Sequence, residues 1–155
     1  MTTLRLRYTT LALALAAVVP MSGMAQQSDA RLRGAWETDQ YRLKDGTIHQ
    51  VRGRIFFDES EWTVLFFVVD DDGQPQRGSA EGGTYHLRGD SLIFTHHYHL
   101  SSGRVVDGLA AAPLRMTVQE DNPDQPERCS IILDQDALTI FFPSGNAMTF
   151  HRLST

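Results

Sequence analysis

The 155-residue sequence holds a single cysteine, Cys129, so an internal disulfide is excluded and the fold must stand on its apolar core. Lysine is as scarce: Lys44 is the sole example among 14 Lys+Arg, a composition bias toward arginine. Positive charge is in deficit overall, 14 cations facing 19 Asp+Glu for a net charge of −5. An acidic chain without a basic stripe repels phosphate backbones and anionic headgroups, which argues against nucleic acid as a partner. No apolar run approaches the ~20 residues of a membrane-spanning helix. Motifs that carry chemistry are missing too. Ser79, Ser101 and Ser102 fall in segments read as loops, without the Gly-x-Ser-x-Gly elbow of a hydrolase. Gly73, Gly78, Gly82 and Gly83 lack the Lys-Ser/Thr and following helix of a phosphate loop. The run Asp70-Asp71-Asp72-Gly73 lacks the spaced ligands and closing glutamate of an EF-hand and reads as a solvated turn. Glu81 and Glu120 are isolated carboxylates, so no catalytic residue is assigned, and the chain is read as non-catalytic.

What is present begins with the N-terminus. Arg5 and Arg7 precede an unbroken apolar run over residues 11–19, Pro20 ends it, and Gly23 and Ala25 are small residues at the −3 and −1 positions of a cleavage site. This is the three-part secretory pattern, so residues 1–25 are expected to be a signal peptide and residues 26–155 one mature domain. Leu6 separates the two arginines, which excludes a twin-arginine signal, and no cysteine stands at the cleavage point to take a lipid. A periplasmic or secreted protein without a membrane anchor is expected. With Arg5 and Arg7 removed, the remaining 12 cations face 19 anions, a net charge of −7. The oligomeric state stays open.

The mature segment is a succession of short β-like runs separated by turn residues, with no amphipathic helix of normal length. Lys44-Asp45-Gly46-Thr47 reads as a tight hairpin in which Asp-Gly supplies positive φ angles. Residues 62–69 are apolar on both faces, the mark of a strand covered on both sides. Residues 70–83 read as loop and residues 101–112 as a glycine- and alanine-rich connection with room for a short helical turn. A two-residue turn at Gly89-Asp90 sets Leu87 opposite Leu92, His86 opposite Ile93 and Tyr85 opposite Phe94. Connections this short force antiparallel neighbours. The expected fold is all-β, about eight or nine antiparallel strands that either close into an up-and-down barrel or split into a sandwich.

Leu32-Arg33-Gly34-Ala35-Trp36 on the first strand, together with Arg152 in the last, resembles the Gly-x-Trp signature of the lipocalins and the wider calycin group. The likeness is closest to short bacterial lipocalin-like domains. It implies that Trp36 closes the barrel floor with Arg152 packed across its ring, a cation–π contact. It also implies a cup that binds a small apolar or amphipathic molecule. The departures are specific: residues 44–47 leave no room for the helix pair of fatty-acid-binding proteins, and the glycine-rich repeat of the haem-binding nitrobindins is absent. The chain stops at Thr155, short of the helix that follows a lipocalin barrel, and no lipocalin disulfide is possible.

The expected ligand lining is Phe66, Tyr85, Phe94, His97 and His99, with Trp36 and Arg152 structural and no cofactor assigned. The densest cluster of chemistry is Thr95-His96-His97-Tyr98-His99. Period-2 alternation places His97 and His99 on one strand face, roughly 6.5–7 Å apart at the backbone, and His96 and Tyr98 on the other. Three readings of the cluster are open: rim histidines, ligand contacts whose affinity titrates near pH 6.5, or two legs of a metal or haem site needing a third ligand. His86 shares the His97/His99 face but is some 13 Å along the strand, too far to complete such a site. Cys129 is read either as a buried thiol or as a reactive or intermolecular one. A third functional reading is a β-rich interaction module pairing through residues 62–69.

Overall fold

A computed structural model describes residues 30–118 and 126–153. The signal-peptide reading of residues 1–25, Glu120 and most of the loop at 121–126 fall outside them. Nine strands follow in order: β1 (Gly34–Arg42), β2 (Ile48–Phe57), β3 (Glu61–Val69), β4 (Pro75–Arg88), β5 (Ser91–Gly103), β6 (Ala112–Val118), β7 (Glu127–Leu133), β8 (Ala137–Phe141) and β9 (Ala147–Arg152). Every pairing is antiparallel. β1 to β5 pair in sequence, β5 pairs with β7, β7 to β9 pair in sequence, and β9 returns to β1. Eight strands therefore close an up-and-down barrel, and β6 is a ninth attached to the far half of β5.

Turn chemistry repeats. Gly46, Gly73 and Gly145 each donate a backbone N–H three residues back, to Leu43, Asp70 and Phe142, and each has positive φ. These are type I turns followed by a glycine in the left-handed region. Asp45 has negative φ; glycine alone supplies the unusual angle in this hairpin. Asp70 is part of the second turn, its Oδ1 accepting from the backbone N–H of Asp72 at 3.1 Å and Gln74 at 2.8 Å. An acidic residue bound to its own turn is accounted for without calcium.

Two segments read as connections are strand. β4 begins at Pro75 and carries Gly78, Ser79, Gly82 and Gly83, while β5 runs on through Ser101 and Ser102. Glycine is needed inside β4 because neighbours approach too closely for a side chain: a Cβ on Gly83 would sit 1.9 Å from the Thr95 carbonyl oxygen, and one on Gly78 would sit 2.7 Å from the Phe67 ring. Residues 104–111 contain no helix. They reach across the upper end of the barrel, Arg77 donating to the Ala110 carbonyl at 3.1 Å and a His49 ring nitrogen lying 2.9 Å from the Asp107 carbonyl.

The opposite end is the floor. Trp36 and Leu32 are completely buried, and the Trp36 indole N–H donates to the Leu32 carbonyl at 2.8 Å. Arg152 pairs with Trp36 in register, and its guanidinium carbon stands 4.1 Å from the centre of the indole ring. The same guanidinium donates to the carbonyls of Arg33, at 2.9 Å, and Arg31. The cation–π contact implied by the resemblance is present, and the extra hydrogen bonds tie the N-terminal turn across it. Above the floor, Phe57, Trp62, Tyr85 and Phe94 form an aromatic layer, with Phe57–Tyr85 centroids 5.1 Å apart and Trp62–Phe94 4.4 Å apart. Cys129 belongs to this core, and burial pushes its thiol pKa up to about 12, with Glu127 adding to the shift. The nucleophilic thiolate is therefore scarce at neutral pH.

Candidate functional site

The hairpin register agrees with the sequence reading: Leu87 faces Leu92, His86 faces Ile93 and Tyr85 faces Phe94. Beyond it the alternation breaks. Gly83 pairs with His96 but Gly82 pairs with Tyr98, so His97 is an extra residue in the register of β5 against β4, a β-bulge. One inserted residue flips every side chain that follows to the other face. His96 and His99, not His97 and His99, therefore share the inner face, and Tyr98 turns outward with 61% of its surface exposed.

His96 and His99 meet on one carboxylate. Glu81 lies 3.1 Å from His96 Nδ1 and 3.5 Å from His99 Nδ1, and it accepts from the Ser79 hydroxyl at 2.7 Å. The other His96 nitrogen lies 3.1 Å from Glu127, and the other His99 nitrogen 2.8 Å from the Ser101 hydroxyl. Hydrogen bonds to Glu127 and then Glu81 outweigh burial and raise the His96 pKa to about 9. An imidazolium with both N–H groups committed to carboxylates results at neutral pH. Burial pushes the Glu81 carboxyl up, but hydrogen bonds from His96 and Ser79 with the charge of His96 bring its pKa below the ordinary value. These groups join β4, β5 and β7 where β5 changes partner from β7 to β6. Both nitrogens of His96 are occupied by glutamates, and among the described residues no group of three or more His, Cys, Asp or Glu is arranged to hold a metal ion.

The five residues expected to line a pocket are dispersed. Tyr85 and Phe94 are packed core, 3% and 2% exposed, and the Tyr85 hydroxyl donates to the Asp58 carbonyl at 2.7 Å. Phe66 is half-buried beside Tyr41 and, with Phe94, borders a cavity inside the barrel. His97 occupies the bulge, and His99 belongs to the Glu81 network. The interior cavity measures about 50 Å³, room for one or two waters and far below a small-molecule pocket of several hundred Å³.

Larger open space lies on the outer face of β3–β6. Registered rows cross four strands there. One is Thr63–Gly82–Tyr98–Val118, and the next is Leu65–Ala80–Leu100–Met116. Gly78, Ala80 and Gly82 make the outer face of β4 a low trough between taller neighbours. Two clefts of about 430 and 450 Å³ occupy its two ends and share Leu100. The inner and outer faces are thus reversed relative to the lower barrel. Below the bulge, Tyr85 and Phe94 point in, while His86 and Arg88 point out. Above it, Ser79, Glu81, His99 and Ser101 point in, while Tyr98, Leu100 and Leu65 point out, the last two 45% and 47% exposed. The signal for this was in the sequence as the doubly apolar run 62–69; the bulge that extends it to β5 and β6 had none.

The fold is an eight-stranded closed antiparallel barrel with one added strand, consistent with a calycin-like one, while no family model matches the chain and no curated protein matches it significantly.

Proposed function

We propose that the protein is an exported lipocalin-like binding protein for a small apolar or amphipathic molecule, seated in the outer trough of β3–β6 and not in the barrel interior. The observation that carries this reading is the disparity of apolar space: clefts of about 430 and 450 Å³ on the outer face against about 50 Å³ inside, while a cleft of about 510 Å³ elsewhere is walled mostly by polar residues, among them Asp39, Gln50 and Arg52. Leu65, Phe67, Tyr98 and Leu100 supply apolar walls, and the residues with small or no side chains on β4 supply the floor. Trp36 and Arg152 support the lipocalin likeness as structural residues.

The test is titration with the apolar fluorophore 1-anilinonaphthalene-8-sulfonate. Saturable binding that weakens at least tenfold in Ala80→Phe, which fills the trough, is expected; equal binding by both proteins contradicts the seat. Export is tested by N-terminal sequencing of protein recovered outside the cytoplasm, with Gln26 expected as the first residue and an intact Met1 contradicting it.

A further inference from the structure

We infer that a second copy of this chain covers the outer β3–β6 face, giving a two-fold dimer that roofs the trough. This extends the ligand reading, yet the two can fail separately.

Of the eleven large hydrophobic side chains exposed among the described residues, seven are on this one face. Leu65, Phe67, Tyr98, Leu100, Met116 and Val118 surround the trough, and Leu114 lies beyond it on β6. Their exposures run from 38% for Phe67 to 79% for Val118. Together they present on the order of 500–600 Å² of apolar side-chain surface. A stable interface takes about 800 Å² from each partner, and in homodimers about two thirds of it is apolar. The face therefore supplies the apolar area that one half of such a dimer needs, and it stands at the upper end of the patches that monomers leave open, which are often functional.

Charge selects the same partner. The protein carries a net charge of −5, so two copies repel wherever charged surfaces meet. The outward positions from Thr63 to Phe67, Gly78 to Gly82, Tyr98 to Ser102 and Leu114 to Val118 carry no ionisable group except the phenol of Tyr98. Ridges of large side chains flank a trough of small ones, a relief that fits a copy of itself when two sheets pack face to face. The inner face of the same strands is closed to this role by its Glu81–His96–Glu127 network.

Sedimentation velocity on the purified protein from micromolar to several hundred micromolar, without ligand, tests the inference. A monomer–dimer equilibrium is expected. Leu114→Glu, which touches neither cleft, is expected to weaken association at least tenfold while the far-ultraviolet spectrum stays that of the parent. Ile132→Glu, an exposed apolar residue on β7 away from the face, is expected to associate as the parent does. A parent that stays monomeric throughout, or a Leu114→Glu protein that dimerises equally well, overturns the dimer. A monomeric parent that still binds 1-anilinonaphthalene-8-sulfonate in the trough leaves the ligand reading standing. A dimer that binds none removes the ligand reading alone.

Discussion

The lower barrel and the upper β3–β6 sheet are built from the same long hairpin, yet they resolve the placement of apolar side chains in opposite ways. Below the His97 bulge, β4 and β5 bury Tyr85, Leu92 and Phe94 and leave His86 and Arg88 in water. Above it, they enclose Ser79, Glu81, His99 and Ser101 and expose Tyr98 and Leu100. The lower arrangement is sufficient for a monomer, because burial drives it directly. The upper one exposes apolar surface at no gain to the isolated fold, which points to a purpose outside the fold. A single inserted residue lets one hairpin serve both ends.

Removing the floor has the largest expected effect on the lower half. Trp36→Ala is expected to cost about 3–5 kcal/mol, read as a lower urea midpoint. Glu81→Ala strikes the upper half. It leaves His96, His99 and Ser79 without their shared acceptor and is expected to cost about 2 kcal/mol, with Glu81→Gln costing less, since a partly exposed network loses less than a fully buried one.

The same network predicts a pH dependence confined to the upper half. The His96 pKa is raised to about 9 in the folded protein, so its contribution is complete below the unfolded value near 6.5 and is lost as pH rises through 9. Glu81 acts with the opposite sign, its lowered pKa giving stability that disappears as pH falls through the folded value. Unfolding free energies measured from pH 6 to 8.5, below the ionisation of the unfolded Cys129 thiol, are expected to decline in the parent and to flatten in His96→Gln. The smallest effect is the sharpest contrast. Leu100→Ser in dilute solution is expected to stay within about 0.5 kcal/mol of the parent, as an exposed substitution should, whereas the buried Leu92→Ser on the same strand is expected to lose several.

The lower half was legible in the sequence. Turn residues and strand alternation give the antiparallel strands and the register at Leu87–Leu92, and Trp36 with Arg152 marks the floor and with it the barrel, because these features depend on local chemistry or on one side-chain pair. The upper half was not. Glycine normally signals a loop, so Gly78, Gly82 and Gly83 hid the first half of β4; what makes them strand residues is the close approach of Phe67 and the Thr95 carbonyl. The bulge at His97 is set by pairing with β4 and leaves no mark in the residue pattern. Parity counted through it assigns His97 to a face that it does not share with His99. The attachment of β6 beside the barrel, in line with β7 along β5, depends on how β5 divides its length between two partners.

In the proposed dimer the outward apolar face of the upper sheet is covered in solution. Hydroxyl-radical footprinting of the purified protein across a concentration series measures this at individual side chains. Tyr98 and Met116 are expected to oxidise readily in dilute protein and to become protected as concentration rises, while exposed Ile132 reacts equally throughout. Tyr98 and Met116 reacting at an unchanged rate across the whole series would contradict it.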